Sequence, residues 1–241
     1  MVIPININQK QLSLIIKLLK SKRLSNFLKI SEGLRIPPKF EDNSKNKHGI
    51  VKQYQFERYS QIKEGVYISE PDLKEVLSEK SERFKNCLKE KIIIAEDALN
   101  INATIDNGFN IPQGGVYFGV ITNDKVSLKY VLALLNSKLF SFVYKTLFGG
   151  MHMGGGYLRY RSQFLGELPI IETTKKEQIK LAKLVDKITK QSKDLQKLDP
   201  ILDDKEYNKI KKEIDETDKD IDGKVYGLYG LGEREIEVVE K

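Results

Sequence analysis

The most constraining feature of the sequence is the apolar stretch from Ser127 to Phe148. Its aliphatic and aromatic residues occupy too many positions to form a single narrow helical face. A helix that is apolar around most of its circumference must be covered by other elements on several sides. The sequence therefore predicts a deeply buried helix inside a domain of the α/β or α+β class.

The region before this helix alternates strand-like and helical patterns. Residues 92–95, 101–105 and 116–121 are rich in β-branched and aromatic residues and are predicted to be strands. A helix is predicted over residues 69–88, and an amphipathic helix over residues 8–22 precedes it. We therefore expect a mixed-sheet domain with an N-terminal helix.

The composition changes after Pro169 to a region rich in Lys, Glu and Asp with no strand pattern. One helical apolar stripe ends at Asp199, and a second runs from Tyr207 to Ile221 with alternating spacings of three and four, typical of a coiled-coil seam. This pattern predicts an antiparallel helical hairpin that packs on the body or on another chain. The predicted division is an entry helix at residues 1–23, a mixed-sheet domain at 24–172 and a helical appendage at 173–241.

The positive charge of the chain is concentrated in the part before the predicted hairpin. Lys and Arg exceed Asp and Glu by eight before residue 173 and fall one short of them after it, which gives the net charge of +7. A basic body attracts polyanions such as DNA, although a similar excess also occurs on proteins that bind none. Charge alone therefore leaves DNA binding as one option among several.

The cysteine count and the hydropathy pattern point to a cytoplasmic protein. Cys87 is the only cysteine, so an internal disulfide is excluded and a reducing compartment fits best. The first residues do not have the layout of a signal peptide, and no run of about 18 apolar residues predicts a membrane span. We expect no membrane association.

The motifs of the commonest DNA-modifying chemistries are missing. An adenine methyltransferase needs a glycine-rich loop after a strand for its methyl donor and an Asp/Asn-Pro-Pro-aromatic loop for the flipped base, and neither is present. Asp72 and Lys74 are too close together for a Mg²⁺-dependent nuclease motif. His48, His152 and Cys87 are too few and too scattered for zinc. We expect this chain alone to be non-catalytic and to hold no cofactor.

One candidate binding stretch follows the buried helix. The glycine-rich segment 149–156 contains His152 and lacks the Lys-Ser/Thr of a phosphate-binding loop. After it, Tyr157, Arg159 and Arg161 alternate and would project from one face of a strand. Arginine suits bidentate contacts with guanine edges and with phosphate. The same pattern is also compatible with a helix cap, a flexible connection and a solvated strand face.

A second candidate stretch covers residues 36–58. Basic, amide and aromatic side chains are interleaved there, as in loops that contact both phosphates and base edges. An ordinary long surface loop has a similar composition. The stretch therefore predicts a DNA-contacting loop without excluding a simple surface loop.

Several segments, taken in order, resemble a known family. They are KIII at 91–94, NATID at 102–106, GVY at 115–117, YVLALLNSK at 130–138 and GELPI at 166–170. The chain is similar in these segments to the TaqI-like C-terminal specificity domain, which follows the methyltransferase core in type IIG restriction enzymes and related adenine methylases. The segments at 23–33 and 222–236 also resemble the start and the end of such regions.

The resemblance implies a module that recognises a sequence in double-stranded DNA. Methylation or cleavage would be performed by a catalytic region in cis or in trans, and S-adenosylmethionine and Mg²⁺ would belong to that region. The resemblance does not locate the bases, so the residue roles are hypotheses from side-chain chemistry: lysines set the register on phosphates, and histidines and arginines approach base edges. The phosphate candidates are Lys45, Lys47, Lys52 and Lys145, and the base candidates are His48, His152, Arg159 and Arg161.

Three other interpretations stay open at this point. The chain resembles half of a type I specificity protein and could act as a separate specificity subunit. It could instead be an assembly module whose C-terminal helices bind a partner or a second copy, with incidental basic charge. An enzyme with an unrecognised site is the third, and an assay of methylation or cleavage with the chain alone would reveal it.

Overall fold

The computed structural model describes residues 7–45, 47–151 and 154–241. The helices are α1 (Gln9–Leu18), α2 (Glu70–Val76), α3 (Glu82–Cys87), α4 (Leu128–Asn136), α5 (Lys138–Phe148), α6 (Ser162–Leu165), α7 (Lys175–Leu195), α8 (Asp204–Leu228) and α9 (Glu233–Glu240). The strands are β1 (Lys22–Arg23), β2 (Leu28–Glu32), β3 (His48–Val51), β4 (Tyr67–Ile68), β5 (Lys91–Ala95), β6 (Asp97–Ala98), β7 (Ala103–Asp106), β8 (Asn110–Pro112), β9 (Val116–Ile121), β10 (Leu158–Arg159) and β11 (Pro169–Ile170).

The predicted mixed-sheet α/β fold is confirmed. The main sheet has four antiparallel strands in the order β2–β9–β5–β7, and a second sheet has the order β4–β3–β8, in which β3 and β8 are parallel. Two short pairs, β1–β11 and β10–β6, complete the described sheets. The strands β5 and β9 are buried on both faces, which explains their continuous apolar sequences.

The main sheet separates two apolar cores. Ile92 and Ile94 face the larger core, which also contains α1, α4, α5 and the C-terminal helices. Ile93 and Phe118 face the smaller core, formed with the second sheet and with α2 and α3. Because successive strand residues point to opposite faces, one apolar strand supplies both cores.

The central apolar stretch forms two helices, so the prediction of one helix over residues 127–148 was wrong. Ser137 has an extended conformation, and its hydroxyl accepts from the Phe140 amide and donates to the Leu134 carbonyl at 2.6 Å. The chain bends by 62° between α4 and α5. Within the described residues, no helix taken alone has the length and hydropathy needed to span a membrane. The pair α4 and α5 reaches that length and hydropathy only when the two helices are taken together across the bend.

Asn136 explains why the helix stops at this position. Its side-chain oxygen accepts from the Ala103 amide and its amide nitrogen donates to the Ala103 carbonyl, both at 2.9 Å. The side chain thus takes the place of a neighbouring strand beside β7. The break therefore joins the buried helices to the edge of the main sheet.

Two further predicted helices are shorter than expected. The helix expected over residues 69–88 is divided because Leu77 is extended and Ser81 caps a new helix at the Phe84 amide. The helix expected over residues 8–22 ends at Leu18, since residues 22 and 23 pair with β11. In both places a cap or a strand pairing competes successfully with the helical pattern.

The predicted antiparallel hairpin is confirmed as α7 and α8, and it packs on the body. Leu181, Val185 and Ile188 of α7 and Ile221 and Val225 of α8 belong to the larger core. That core contains residues from all three predicted segments. The helical appendage is therefore stabilised by burial against the mixed-sheet domain, as expected for a hairpin of this length.

Polar contacts fix the hairpin at the break between α4 and α5. The Arg58 Nη2 donates to Asp218 at 2.8 Å and to the Asn136 carbonyl at 2.5 Å. Asp222 accepts from the Lys138 amide at 2.9 Å, and its other carboxylate oxygen has no hydrogen-bond partner among the described residues. Burial raises the pKa of Asp222 to about 6, with a smaller contribution from Asp218.

This raised pKa predicts a pH-dependent stability. Because the folded state holds the Asp222 proton more tightly than the unfolded chain, this contribution is full below about pH 4 and is lost as pH rises through about 6. Asp222→Asn keeps an acceptor for the Lys138 amide and cannot ionise. Between pH 4 and pH 8 the wild type should lose about 2 kcal/mol relative to this variant in urea unfolding. A constant difference between the two proteins would contradict the prediction.

Candidate nucleic-acid interface

Residues 157–161, here called the arginine strip, alternate between exposed and buried positions. Tyr157 is 46% exposed and Arg161 is exposed, whereas Leu158 and Tyr160 are buried in the larger core. Arg159 lies between them on the outer side and is partly exposed. This alternation in exposure fits the expectation that Tyr157, Arg159 and Arg161 share one face, but the strand itself covers only Leu158–Arg159, and Arg161 already precedes α6.

The strip begins at a turn that requires glycine. Gly155 and Gly156 have φ angles of +76° and +81°, a region that residues with a side chain rarely adopt. The glycine-rich segment therefore sets the direction in which the chain enters the strip. His152, the predicted base contact of this segment, lies outside the described residues.

Arg159 is held by two acidic residues that follow β5 directly, Glu96 and Asp97. It lies opposite Asp97 in the β10–β6 pair, with Nε 3.1 Å from Oδ1 and Nη2 3.4 Å from Oδ2. Glu96 is 3.7 Å from the same Nε. The hydrogen bond with Asp97 and the nearby negative charge raise the pKa of Arg159, so the guanidinium stays charged.

The acidic partner is itself anchored by Gln53. The Gln53 side chain donates to the Asp97 carbonyl at 2.5 Å and accepts from the Asp97 amide at 3.2 Å. Glu96, Asp97 and Gln53 were missed by the sequence analysis. The acidic pair directly after the strand at 91–95 was a detectable signal, but its arginine partner is 62 residues away in the chain.

Arg161 differs from Arg159 in its surroundings. Among the described residues no carboxylate lies within 4.0 Å of its guanidinium. Burial and nearby acids raise the pKa of Tyr117, and the charges of Arg161 and Arg159 oppose this shift.

An open cleft of about 1130 Å³ lies beside the strip, between the mixed-sheet domain and the hairpin. Its wall includes Tyr157, the exposed Tyr54 and residues 97–100. Lys145, from the last turn of α5, donates to Asn100 at 2.7 Å. Lys145 and the arginine strip thus both lie next to residues 97–100. We call the surface formed by Lys145, residues 97–100 and the arginine strip the strip surface.

The lysines of the second candidate stretch form ion pairs elsewhere. Lys45 pairs with Glu64 at 2.9 Å and Lys47 pairs with Glu70, and all four side chains lie around the second sheet. Lys52 pairs with Glu41 at 2.8 Å and only a quarter of its side chain is exposed. Lys52 directly precedes Gln53, which contacts the strip surface. Among the described residues, Lys52 is therefore the one of these three lysines that is next in sequence to a residue contacting the strip surface.

His48 occupies a position that does not suit base contact. It begins β3, is 9% exposed, and burial lowers its pKa although a hydrogen bond with the Phe109 backbone opposes the shift. A ring at this depth cannot present an edge to a base without leaving the sheet. The prediction that His48 contacts a base is therefore not supported by its position. The sequence pattern did not reveal that strand pairing buries this side chain.

The remaining reactive groups are structural. Cys87 is fully buried, and burial raises its pKa to about 11, so it stays a neutral thiol. In the three described ranges no group of three or more His, Cys, Asp and Glu side chains could hold a metal ion. Cys87 therefore packs as an apolar residue of the smaller core.

The fold is that of chains from restriction-modification systems. The chain is similar to one in the structure of the type IIL restriction-modification enzyme MmeI in complex with DNA, with a TM-score of 0.53, 13% identity, and coverage of 91% of this chain and 33% of that chain. It is also similar to one from a structure on complex assembly of the type I system, with a TM-score of 0.50, 12% identity, and coverage of 91% and 52%. The chain thus spans about a third and about half of these two proteins.

The family is shown by the sequence itself. The model of the TaqI-like C-terminal specificity domain matches residues 42–170, which is more than half of the chain. The chain belongs to this family, and the resemblance noted in the sequence is confirmed. No curated protein sequence is significantly similar to it.

Proposed function

We propose that the chain is the sequence-specific recognition module of a restriction-modification enzyme and binds double-stranded DNA. The observation that carries this proposal is the arginine strip, which presents two arginines on one face in a chain of the specificity-domain family. MmeI, whose fold the chain shares, forms a complex with DNA. Recognition would direct methylation or cleavage carried out by a separate catalytic region.

The proposed readout divides the strip surface between two tasks. Arg159 and Arg161 approach base edges in the major groove, where an arginine can bind guanine O6 and N7 together. Lys145 contacts a phosphate and sets the register, and Tyr157 offers an exposed ring beside them. Lys45, Lys47 and Lys52 stay proposed phosphate contacts outside the strip surface, and each would have to exchange its carboxylate partner for a phosphate. His152 stays a predicted base contact.

Lys145→Ala should weaken binding to all duplexes alike, because a phosphate contact carries no sequence information. The slope of log affinity against log salt should become shallower by about one. Lys183→Ala, an exposed lysine of α7, is the matched control and should leave both quantities unchanged. Anisotropy titrations measure both quantities with two duplexes. The selected duplex carries the sequence that the chain enriches from a randomised library, and the scrambled duplex has the same bases in another order. A loss confined to the selected duplex would assign Lys145 to base readout instead.

The catalytic region is proposed to lie in cis or in trans. The chain spans about half or less of the two restriction-modification chains described above, so methyltransferase or endonuclease activity, S-adenosylmethionine and Mg²⁺ would belong to that further region. The cytoplasm, where the DNA substrate is found, is the proposed location. Methylation or cleavage by this chain alone would overturn the assignment of catalysis to a separate region.

A second candidate is a separate specificity subunit that associates through its C-terminal helices. The observation that favours it is the tip of the hairpin, where Ile201 and Leu202 are 86% and 84% exposed. Burying both side chains in an interface would contribute roughly 3 to 6 kcal/mol before association costs. Sedimentation of the chain alone tests this candidate: a dimer that Ile201→Asp dissociates supports it, and a monomer at high concentration excludes self-association.

A further inference from the structure

The hydroxyl of Tyr144 bridges the backbone of the arginine strip. It donates to the Arg159 carbonyl at 2.8 Å and accepts from the Arg161 amide at 3.1 Å. The two contacts enclose Tyr160, whose ring lies 4.6 Å from the Tyr144 ring. One buried side chain thus connects the two residues proposed to read bases.

The Tyr144 side chain is rigidly held. It lies on α5, is fully buried, and its ring also contacts Phe148 at 5.2 Å. Burial raises the pKa of Tyr144 to about 12, so the hydroxyl keeps the proton that it donates to Arg159. The position of the strip is therefore tied to the central helix of the larger core.

The strip needs this anchor because its strand pairing is short. Among the described residues only Leu158 and Arg159 pair with β6, and beyond them the Tyr160 amide donates to the Glu96 carbonyl at 2.7 Å. At Arg161 the chain already turns into α6, and its amide bonds to the Tyr144 hydroxyl. Bidentate recognition tolerates displacements of only about 0.5 Å, so a loosely held Arg161 would read a base poorly.

We propose that Tyr144 is a positioning residue for DNA readout, and that its hydroxyl fixes the backbone from which Arg159 and Arg161 reach the bases. The inference rests on the proposed function and adds a residue that does not touch DNA. It predicts that removing one oxygen atom in the core changes sequence discrimination at the surface.

Two other tyrosines provide matched controls. The Tyr130 hydroxyl on α4 donates to the Ile171 carbonyl at 2.7 Å, a contact of the same kind outside the strip. The Tyr160 hydroxyl lies within the strip, and it has no hydrogen-bond partner in the described part of the chain. Tyr130→Phe therefore reproduces the loss of a buried hydrogen bond, and Tyr160→Phe reproduces the loss of a buried hydroxyl in the same ring cluster.

The test compares Tyr144→Phe with these two controls on a selected and a scrambled duplex. Tyr144→Phe should lower affinity for the selected duplex about tenfold while affinity for the scrambled one changes less than about twofold. Both controls should keep the ratio of the two affinities. Hydrogen exchange should show a faster Arg161 amide in Tyr144→Phe only, which reports the lost anchor without DNA.

The outcomes separate this inference from the proposed function. If Tyr144→Phe keeps the ratio while Arg159→Ala loses it, the positioning role is overturned and DNA readout by the strip stands. If Tyr130→Phe lowers the ratio as much as Tyr144→Phe, the effect reflects general stability and the inference also fails. If the wild type does not discriminate between the duplexes at all, the proposed function fails and the inference fails with it.

Discussion

Replacing Lys91 with methionine is expected to lower the free energy of unfolding by about 3 to 5 kcal/mol. Lys91 and Asp106 form an ion pair at 2.5 Å, with side chains 0% and 2% exposed. Methionine fills a similar volume but leaves the Asp106 carboxylate buried without its cation. This is the largest effect on stability that we expect from a single polar substitution.

Asp106 has further contacts in the turn that follows β7. The carboxylate also accepts from the Gly108 amide at 2.9 Å and from the Asn110 side chain at 2.7 Å. It therefore holds the turn that leads into β8. In Lys91→Met/Asp106→Asn the charge is gone while an acceptor for the Gly108 amide remains, so at least half of the lost stability should return.

Urea unfolding of the wild type and of these two variants measures both effects. The midpoints should shift while the denaturant dependence stays constant, because the unfolded surface is unchanged. A loss below about 1 kcal/mol for Lys91→Met would show that the pair is not an important stabilising contact. A double variant as unstable as the single one would show that the uncompensated charge is not the cause.

Replacing Arg159 with alanine is expected to reduce sequence discrimination by about 1 to 3 kcal/mol, or roughly five- to 150-fold. The side chain is oriented by Asp97 before DNA arrives, so little conformational freedom has to be lost on binding. Removing it also leaves Asp97 and Glu96 without this cation near the DNA. Part of the loss should therefore be a uniform repulsion that affects every duplex.

A double variant separates the two contributions. In Arg159→Ala/Asp97→Ala the acidic neighbour is removed together with the arginine, so affinity for a scrambled duplex should recover while discrimination stays low. Titrations with the selected and scrambled duplexes measure both quantities. If Arg159→Ala weakens the two duplexes equally, the arginine contacts the DNA backbone and does not read bases.

Sequence patterns predicted the features that depend on residues close to one another in the chain. The spacing of three and four identified the helices of the hairpin, and the alternation at Tyr157, Arg159 and Arg161 predicted their common face. The resemblance in short segments identified the family because it compares residues with a known pattern. In the first two cases the relevant residues lie within a few positions of one another, and in the third the same holds within each matching segment.

The features that were missed depend on contacts between distant parts of the chain. The helix break at Asn136 depends on a bond to Ala103, and the orientation of Arg159 depends on Asp97. Tyr144 was not singled out in the sequence, where it lies within the stretch predicted to be one buried helix. His48 lies in a stretch whose composition is typical of a surface loop, yet strand pairing buries it. Periodicity in one sequence carries no information about such partners.

The most direct test of DNA recognition is selection from a randomised duplex library by the purified chain at about 50 and 200 mM salt. Sequencing of the retained DNA would then give the preferred target. We expect enrichment of a short motif, with an affinity that falls as salt rises, and loss of that enrichment in Arg159→Ala. Retained DNA with the same sequence composition as the input library would contradict a sequence-reading role for this chain.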